Sequence, residues 1–283
     1  TEDVRPTDLD GRTENLLWQT LWGTWAPDSD DPMTAERLTA YLIKASREQK
    51  GWTTWPAPDI DREQGLTDYA THLLTDPDTA DELNAFAALT AKDVSSIILA
   101  NKAMALTWLG VADIYQGSEL TRTSLVDPDN RRAVDYDGEG GLRVMLSQVS
   151  TGSSPRTLDQ EKLRLTHRLA RLRAERPDTF VGPRSGYRAI PVTTSHAFAY
   201  ARLLDEEPDV VVIVRRLGRR LRRLGGWREE CVVLPDGQWT EVLTEESVDG
   251  GAQRLADVVG DLPVVVLALD RKDDREDNEE SRD

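Results

Sequence analysis

The sequence predicts a mixed protein, α/β in its first part and all-β in its second. Up to about Glu175, apolar residues recur at i, i+3, i+4 and i+7, the spacing of a one-sided helix. From Gly186 the runs shorten to strand length, and turn signals such as Glu206-Glu207-Pro208, Gly225-Gly226 and Pro235-Asp236-Gly237 separate them. With 283 residues, a prior of roughly 150 per domain implies two domains. A hydrophobic content of 39% beside 30% charged residues supports a packed core and argues against wholesale disorder.

Taken in order, Glu14 to Trp25 reads as a helix ended by Pro27, and Thr34 N-caps a helix reaching Gln49, with Leu38, Tyr41, Leu42 and Ala45 on one face. Helical patterns return at Asp78–Leu89 and at Ala91–Leu109, the second apolar enough to be buried. Gly110–Gly117 is expected to be a short buried strand, followed by a long polar loop from Ser118 to Gly141. A helix spans Leu158 to Glu175. Strands are expected at Tyr187–Val192, Ala197–Leu203, Val210–Arg215, Glu230–Leu234, Thr240–Leu243 and Pro263–Leu269. Asp270 to Asp283 lacks apolar side chains and reads as a disordered acidic tail.

A net charge of −16 disfavours nucleic acid, whose phosphates are gripped by Lys and Arg. No apolar run approaches the roughly 20 residues of a membrane span, so no membrane partner is expected. The N-terminus has no signal-like pattern, which points to the cytoplasm. Cys231 has no disulfide partner, and His72, His167 and His196 do not complete a metal site with it. No metal or cofactor is expected.

Asp113, Tyr115, Gln116, Glu119, Asp127, Asp129, Asn130, Arg131 and Arg132 cluster after the expected strand. Carboxylates, amides, arginines and an aromatic plate suit a sugar, whose hydroxyls need paired polar partners. The same residues also read as turn caps and local ion pairs. Trp18, Trp22, Trp25 and Trp108 fit a packed core better than a sugar path, whereas Trp52 and Trp55 follow a helix end where a ring could stack on glucose. Arg215, Arg216, Arg219, Arg220, Arg222 and Arg223, six arginines in nine residues, read as a hairpin loop or acid-pairing patch, since no aromatic interleaves with them.

Gly110-Val111-Ala112-Asp113-Ile114-Tyr115-Gln116-Gly117-Ser118-Glu119-Leu120 and Ser124–Tyr136 closely resemble the maltooligosyltrehalose synthases of the α-amylase superfamily, glycoside hydrolase family 13. Glu14–Leu21, Lys44–Lys50 with Thr54-Trp55, and Gly225-Gly226-Trp227 with Leu234–Trp239 match the same pattern. Ala112, Thr121, Arg122 and Ala133 depart from it, and Arg5 runs into Pro6 where the family continues with a helix.

The resemblance implies the C-terminal portion of a (β/α)8 barrel with helical insertions over 1–180, an antiparallel β-sandwich-like domain over 181–270, and the tail over 271–283. It implies a parent isomerase that converts the reducing-end α-1,4 bond of a maltooligosaccharide to α,α-1,1. The catalytic carboxylates of that family lie upstream, so no catalytic residue is assigned here, and the chain alone should be inactive without the N-terminal catalytic part. Its contribution would be contacts from Tyr115, Gln116, Glu119, Asp127, Asp129, Asn130, Arg131, Trp52 and Trp55. The alternative is a stand-alone carbohydrate-binding or protein-interaction module.

Overall fold

The computed structural model describes residues 4–26, 31–151 and 154–271. Its compact units are 1–91 with 122–134, and 92–121 with 135–283. The readings of Thr1–Asp3, of Pro27 and of residues 272–283 of the acidic tail lie outside the described residues.

The first unit is helical. The Asp10 carboxylate accepts the Arg12 and Thr13 amides to start α1 (Gly11–Gly23), and Thr34 caps α2 (Ala35–Gln49), as its sequence predicts. Lys50 ends α2 in the left-handed region, at φ 59°. Asp59 caps α3 (Ile60–Thr75), a helix the apolar period does not announce. Leu17, Leu21, Leu38, Leu42, Leu66 and Leu73 close the core.

The patterns at 78–89 and 91–109 join into one helix, α4 (Pro77–Thr107), because neither Gly nor Pro interrupts the residues between them. At 31 residues α4 is long and apolar enough to cross a membrane by length and composition, which corrects the expectation that no such run exists. It is also less buried than expected: Leu99, Ala100, Ala103 and Leu106 pack in a core, whereas Phe86, Leu89, Val94 and Ile97 are exposed.

In the second unit α5 (Leu142–Ser150), α6 (Leu158–Glu175) and α7 (Pro177–Phe180) precede β1 (Ser185–Ile190), β2 (Ala197–Leu204) and β3 (Glu207–Arg215). Then come α8 (Gly218–Arg223), β4 (Cys231–Glu241), β5 (Ser247–Arg254), α9 (Leu255–Val258) and β6 (Val264–Leu269). The strands form one antiparallel sheet in the order β1-β2-β3-β6-β4-β5. It curls, so that beyond β1 Val192 bridges Val232 and the Val233 amide donates to Pro191 O at 3.1 Å.

Strand alternation explains the continuous apolar runs of β3 and β6. Val211, Ile213, Val265 and Leu267 face the inside of the curl with Trp239, while Val210, Val212, Val264 and Val266 face Leu99, Leu165 and Leu169 of α4 and α6. Both faces are covered, so no polar alternation survives.

Three expectations are corrected. Residues 110–117 form no strand, and Val111 is 88% exposed; the strands of the sheet all lie beyond Gly182, so among the described residues no strand offers this segment a ladder partner. Glu230–Leu234 and Thr240–Leu243 are one strand, continuous through a register shift between Leu234 and Gln238. The arginine run is not a hairpin loop but carries α8, with Arg215 buried, while the pairing of Arg222 with Asp93 at 2.9 Å agrees with the acid-pairing half of the expectation.

Candidate functional site

The nine sugar-contact candidates divide between the units: Trp52, Trp55, Asp127, Asp129, Asn130 and Arg131 in the first, Tyr115, Gln116 and Glu119 in the second.

In the first unit Asp129 is a hub. Its carboxylate, 11% exposed, accepts from Arg37 Nε at 2.8 Å, Arg37 Nη2 at 3.0 Å and the Leu125 amide at 2.7 Å, with Arg132 Nε at 3.1 Å. Burial raises its pKa, but the bonds from Arg37 and Leu125 and the charges of Arg37 and Arg132 outweigh it, and the net direction is down. The segment is thereby held in shape, with Asn130 half-buried and its Oδ1 without a hydrogen-bond partner. Arg131 remains 68% exposed and pairs with Asp127 at 2.6 Å. Lys44 donates its Nζ to the Asp127 carbonyl.

Lys44 also lines a groove of about 550 Å³ between α2 and α3 with Trp55, Thr39, Gln64 and Asp68. Trp55 is 56% exposed, with the Arg47 guanidinium 5.0 Å from its ring centre. Glu63 fixes Arg47 from behind by bonds of 2.8 and 2.6 Å, which hold the Glu63 carboxyl below its ordinary range against the opposing effect of burial. An exposed indole beside hydroxyls, an amide and a carboxylate is suitable for stacking and bonding a pyranose. Trp52 is placed differently, half-buried on the core under Arg62, with its Nε1 donating to Thr13 at 3.3 Å.

In the second unit Tyr115 and Gln116 stand exposed on a turn closed by the Ser118 amide on Tyr115 O at 2.9 Å. The following residues are anchored. Lys162 donates to Leu120 O at 2.7 Å, Asp159 accepts the Thr121 amide at 2.6 Å, and Lys102 approaches Ser118 Oγ at 3.4 Å. Glu119 points one oxygen inward without a hydrogen-bond partner, and its charge acts on both lysines. Burial, reinforced by the charge of Lys102, pulls Lys162 down to about 8 against Asp159 and Glu119. Burial lowers Lys102 as well.

The sequence reading did not single out Arg37, Lys102 or Lys162. The one signal available was a lysine interrupting an apolar helix pattern at Lys102; Arg37 and Lys162 sit among ordinary helix-surface residues. Lys44 was present only as part of a motif.

No family model matches the chain. It is 36% identical over 266 residues to a Mycobacterium tuberculosis protein bearing the provisional name maltooligosyl trehalose synthase, a match covering 92% of this chain and 32% of that protein. It superposes on the maltooligosyltrehalose synthase structure from Arthrobacter ramosus with a TM-score of 0.75 and 29% identity, covering 91% of this chain and 32% of that one. A further maltooligosyl trehalose synthase structure, at 22% identity and a TM-score of 0.70, shares the fold. The chain thus spans about a third of the length of the relatives it matches. Over nine tenths of its length it is similar to a segment of proteins named as maltooligosyltrehalose synthases, the family its motifs resemble.

Proposed function

We propose that this chain is the C-terminal part of a maltooligosyltrehalose synthase, supplying barrel completion and sugar contacts while the N-terminal part supplies the catalytic carboxylates. The match of 92% of the chain to 32% of a relative carries the reading. The exposure of Phe86, Leu89, Val94, Ile97 and Val111 supports it, because apolar surface of this kind marks a missing partner. On this reading residues 1–180 are the last stretch of a (β/α)8 barrel. The curled sheet, with α6 and the part of α4 from Lys92 onward packed on one face of it in the same compact unit, is the β-rich C-terminal part, and the compartment is the cytoplasm.

The parent reaction retains anomeric configuration, which requires two displacements. A carboxylate forms a glycosyl-enzyme, the freed glucose turns, and its anomeric hydroxyl attacks in place of water. This chain's share is to hold that glucose. Within the second unit Tyr115 and Gln116 offer a ring and an amide; within the first, taken by itself, the segment held by Asp129 presents Arg131 outward. Holding the acceptor raises its effective concentration over water.

The test is to assay this chain alone and co-produced with the remaining N-terminal segment on maltopentaose. Reducing ends should be lost only by the combination. Glucan binding by a monodisperse isolated chain, with no activity in the combination, would favour the binding-module reading instead. In the active combination, Arg131→Ala should raise the ratio of hydrolysed to isomerised product, and an unchanged ratio would remove Arg131 from the role.

A further inference from the structure

The second unit contains a cavity of about 560 Å³ between α4, the start of α6 and the start of β6, within the size range of small-molecule sites. Its lining is unlike the rest of a chain of net charge −16. Four cations, Lys92, Arg156, Arg164 and Arg215, face only two carboxylates, Glu161 and Asp261.

Two of the cations are poorly compensated. Arg215 is 8% exposed; its Nη1 donates to the Asp261 carbonyl at 2.7 Å and its Nη2 to Ser96 Oγ at 2.8 Å, while its Nε has no partner. Its nearest carboxylate is that of Asp261 at 3.7 Å, on a side chain 90% exposed to water. Arg164 donates Nη2 to Leu243 O at 2.6 Å, and its Nε is likewise without a partner. Among the described residues, neither Arg164, Lys92 nor Arg156 has an ion-pair partner. A buried guanidinium served mainly by neutral oxygens carries an unrepaid desolvation cost, which an anion would offset. Burial accordingly lowers the pKa of Arg215.

We propose that this cavity binds a phosphomonoester, with the phosphate between Arg164 and Arg215 and the body of the ligand against Leu99, Leu165 and Leu262. A phosphomonoester carries close to two negative charges at neutral pH, which matches the local excess of two cations; a carboxylate would neutralise one. Guanidinium groups are strong phosphate donors, and the Ser95 hydroxyl on the same wall supplies a further one, whereas the Ser96 hydroxyl is taken up by the Lys92 carbonyl at 2.9 Å and by Arg215. The inference does not depend on the glucan reading.

Calorimetric titration of the purified protein with glucose 6-phosphate, inorganic phosphate and glucose, at about 0.15 M salt, tests it. Glucose 6-phosphate should bind at least about tenfold more tightly than glucose, and only the ester's binding should depend on Arg164. Arg164→Gln should weaken binding by about tenfold or more, and K92A/R156A, which alters only exposed side chains, by about fivefold with a shallower salt dependence. Inorganic phosphate binding as tightly as the ester would identify free phosphate as the ligand of the same anion site; weaker binding would show that the apolar wall contributes. Absence of binding by both anions up to about 10 mM, or binding unchanged in K92A/R156A, overturns the proposal.

Discussion

Asp129→Asn should unfold the protein more easily without changing the shape of the side chain. The amide keeps one acceptor and turns an NH2 toward donors that now have none, so Arg37, only 12% exposed, loses its nearer counter-ion and at least one of two bonds, keeping Asp31 at 3.6 Å. Bonds to charged groups contribute about 1.5–3 kcal/mol each, and breaking a buried pair costs about 3–5 kcal/mol; partial exposure places the expectation near 3 kcal/mol. At about 2–4 °C per kcal/mol, Tm should fall by roughly 6–12 °C. Urea unfolding of D129N, R37M and the double variant measures it. R37M removes the under-compensated cation, so the double variant should lose less than the sum of the singles. The lowered pKa adds a second signature. The ionised carboxylate contributes stability that is present above its unfolded pKa, about 4, and is lost as pH falls through the folded value, so D129N should show a flatter acid limb. Stability of D129N within about 0.5 kcal/mol of the parent, or strict additivity with R37M, would refute the hub.

Thr107 donates to Ala103 O at 2.7 Å, which makes the Tyr200 hydroxyl the donor in their 2.6 Å bond. Tyr200→Phe should therefore cost about 1 kcal/mol, whereas Thr107→Val strands a buried hydroxyl and should cost about 1–3 kcal/mol; chemical denaturation ranks them. Lys162, with a folded pKa of about 8, destabilises the native state most below that pH, and the cost is relieved as pH rises toward its unfolded value near 10.4. The stability difference between Lys162→Met and the parent should change between pH 8 and 10 on that account, and a flat difference counts against the shift. A Cβ at Gly250 would collide with the Pro235 carbonyl oxygen and the Asp236 backbone, so Gly250→Ala should destabilise the β4–β5 pair by about 1–3 kcal/mol, read from the unfolding midpoint.

Elements with their own local signals were legible in the sequence. Thr34 followed by a regular apolar stripe fixes α2, and Thr157 with the leucines of α6 does the same. α3 escaped because Gln64-Gly65 interrupts its pattern, and β5 because Asp249-Gly250-Gly251 reads as a turn while cross-strand bonds to β4 hold it extended. Residues 110–117 failed for the opposite reason: the apolar run is strand-like, but a strand exists only with a neighbour. The candidate residues themselves were legible as polar types in one stretch. Spacing alone could not tell that Asp129 is consumed by Arg37, ninety-two positions away, while Arg131 two residues on stays open.

The curl of the sheet also governs self-association. An open antiparallel sheet offers two unpaired edges, each a template for another chain. Here the segment after β1 bonds to β4, which partly blunts that side; β1 carries Arg188 along its own edge, and the opposite edge is β5, a polar strand carrying Asp249, two glycines, Gln253 and Arg254. Such a strand is a poor seed for cross-β growth. Clustering of this chain at high concentration should therefore proceed through its exposed helix faces, as reversible, detergent-sensitive oligomers rather than fibrils.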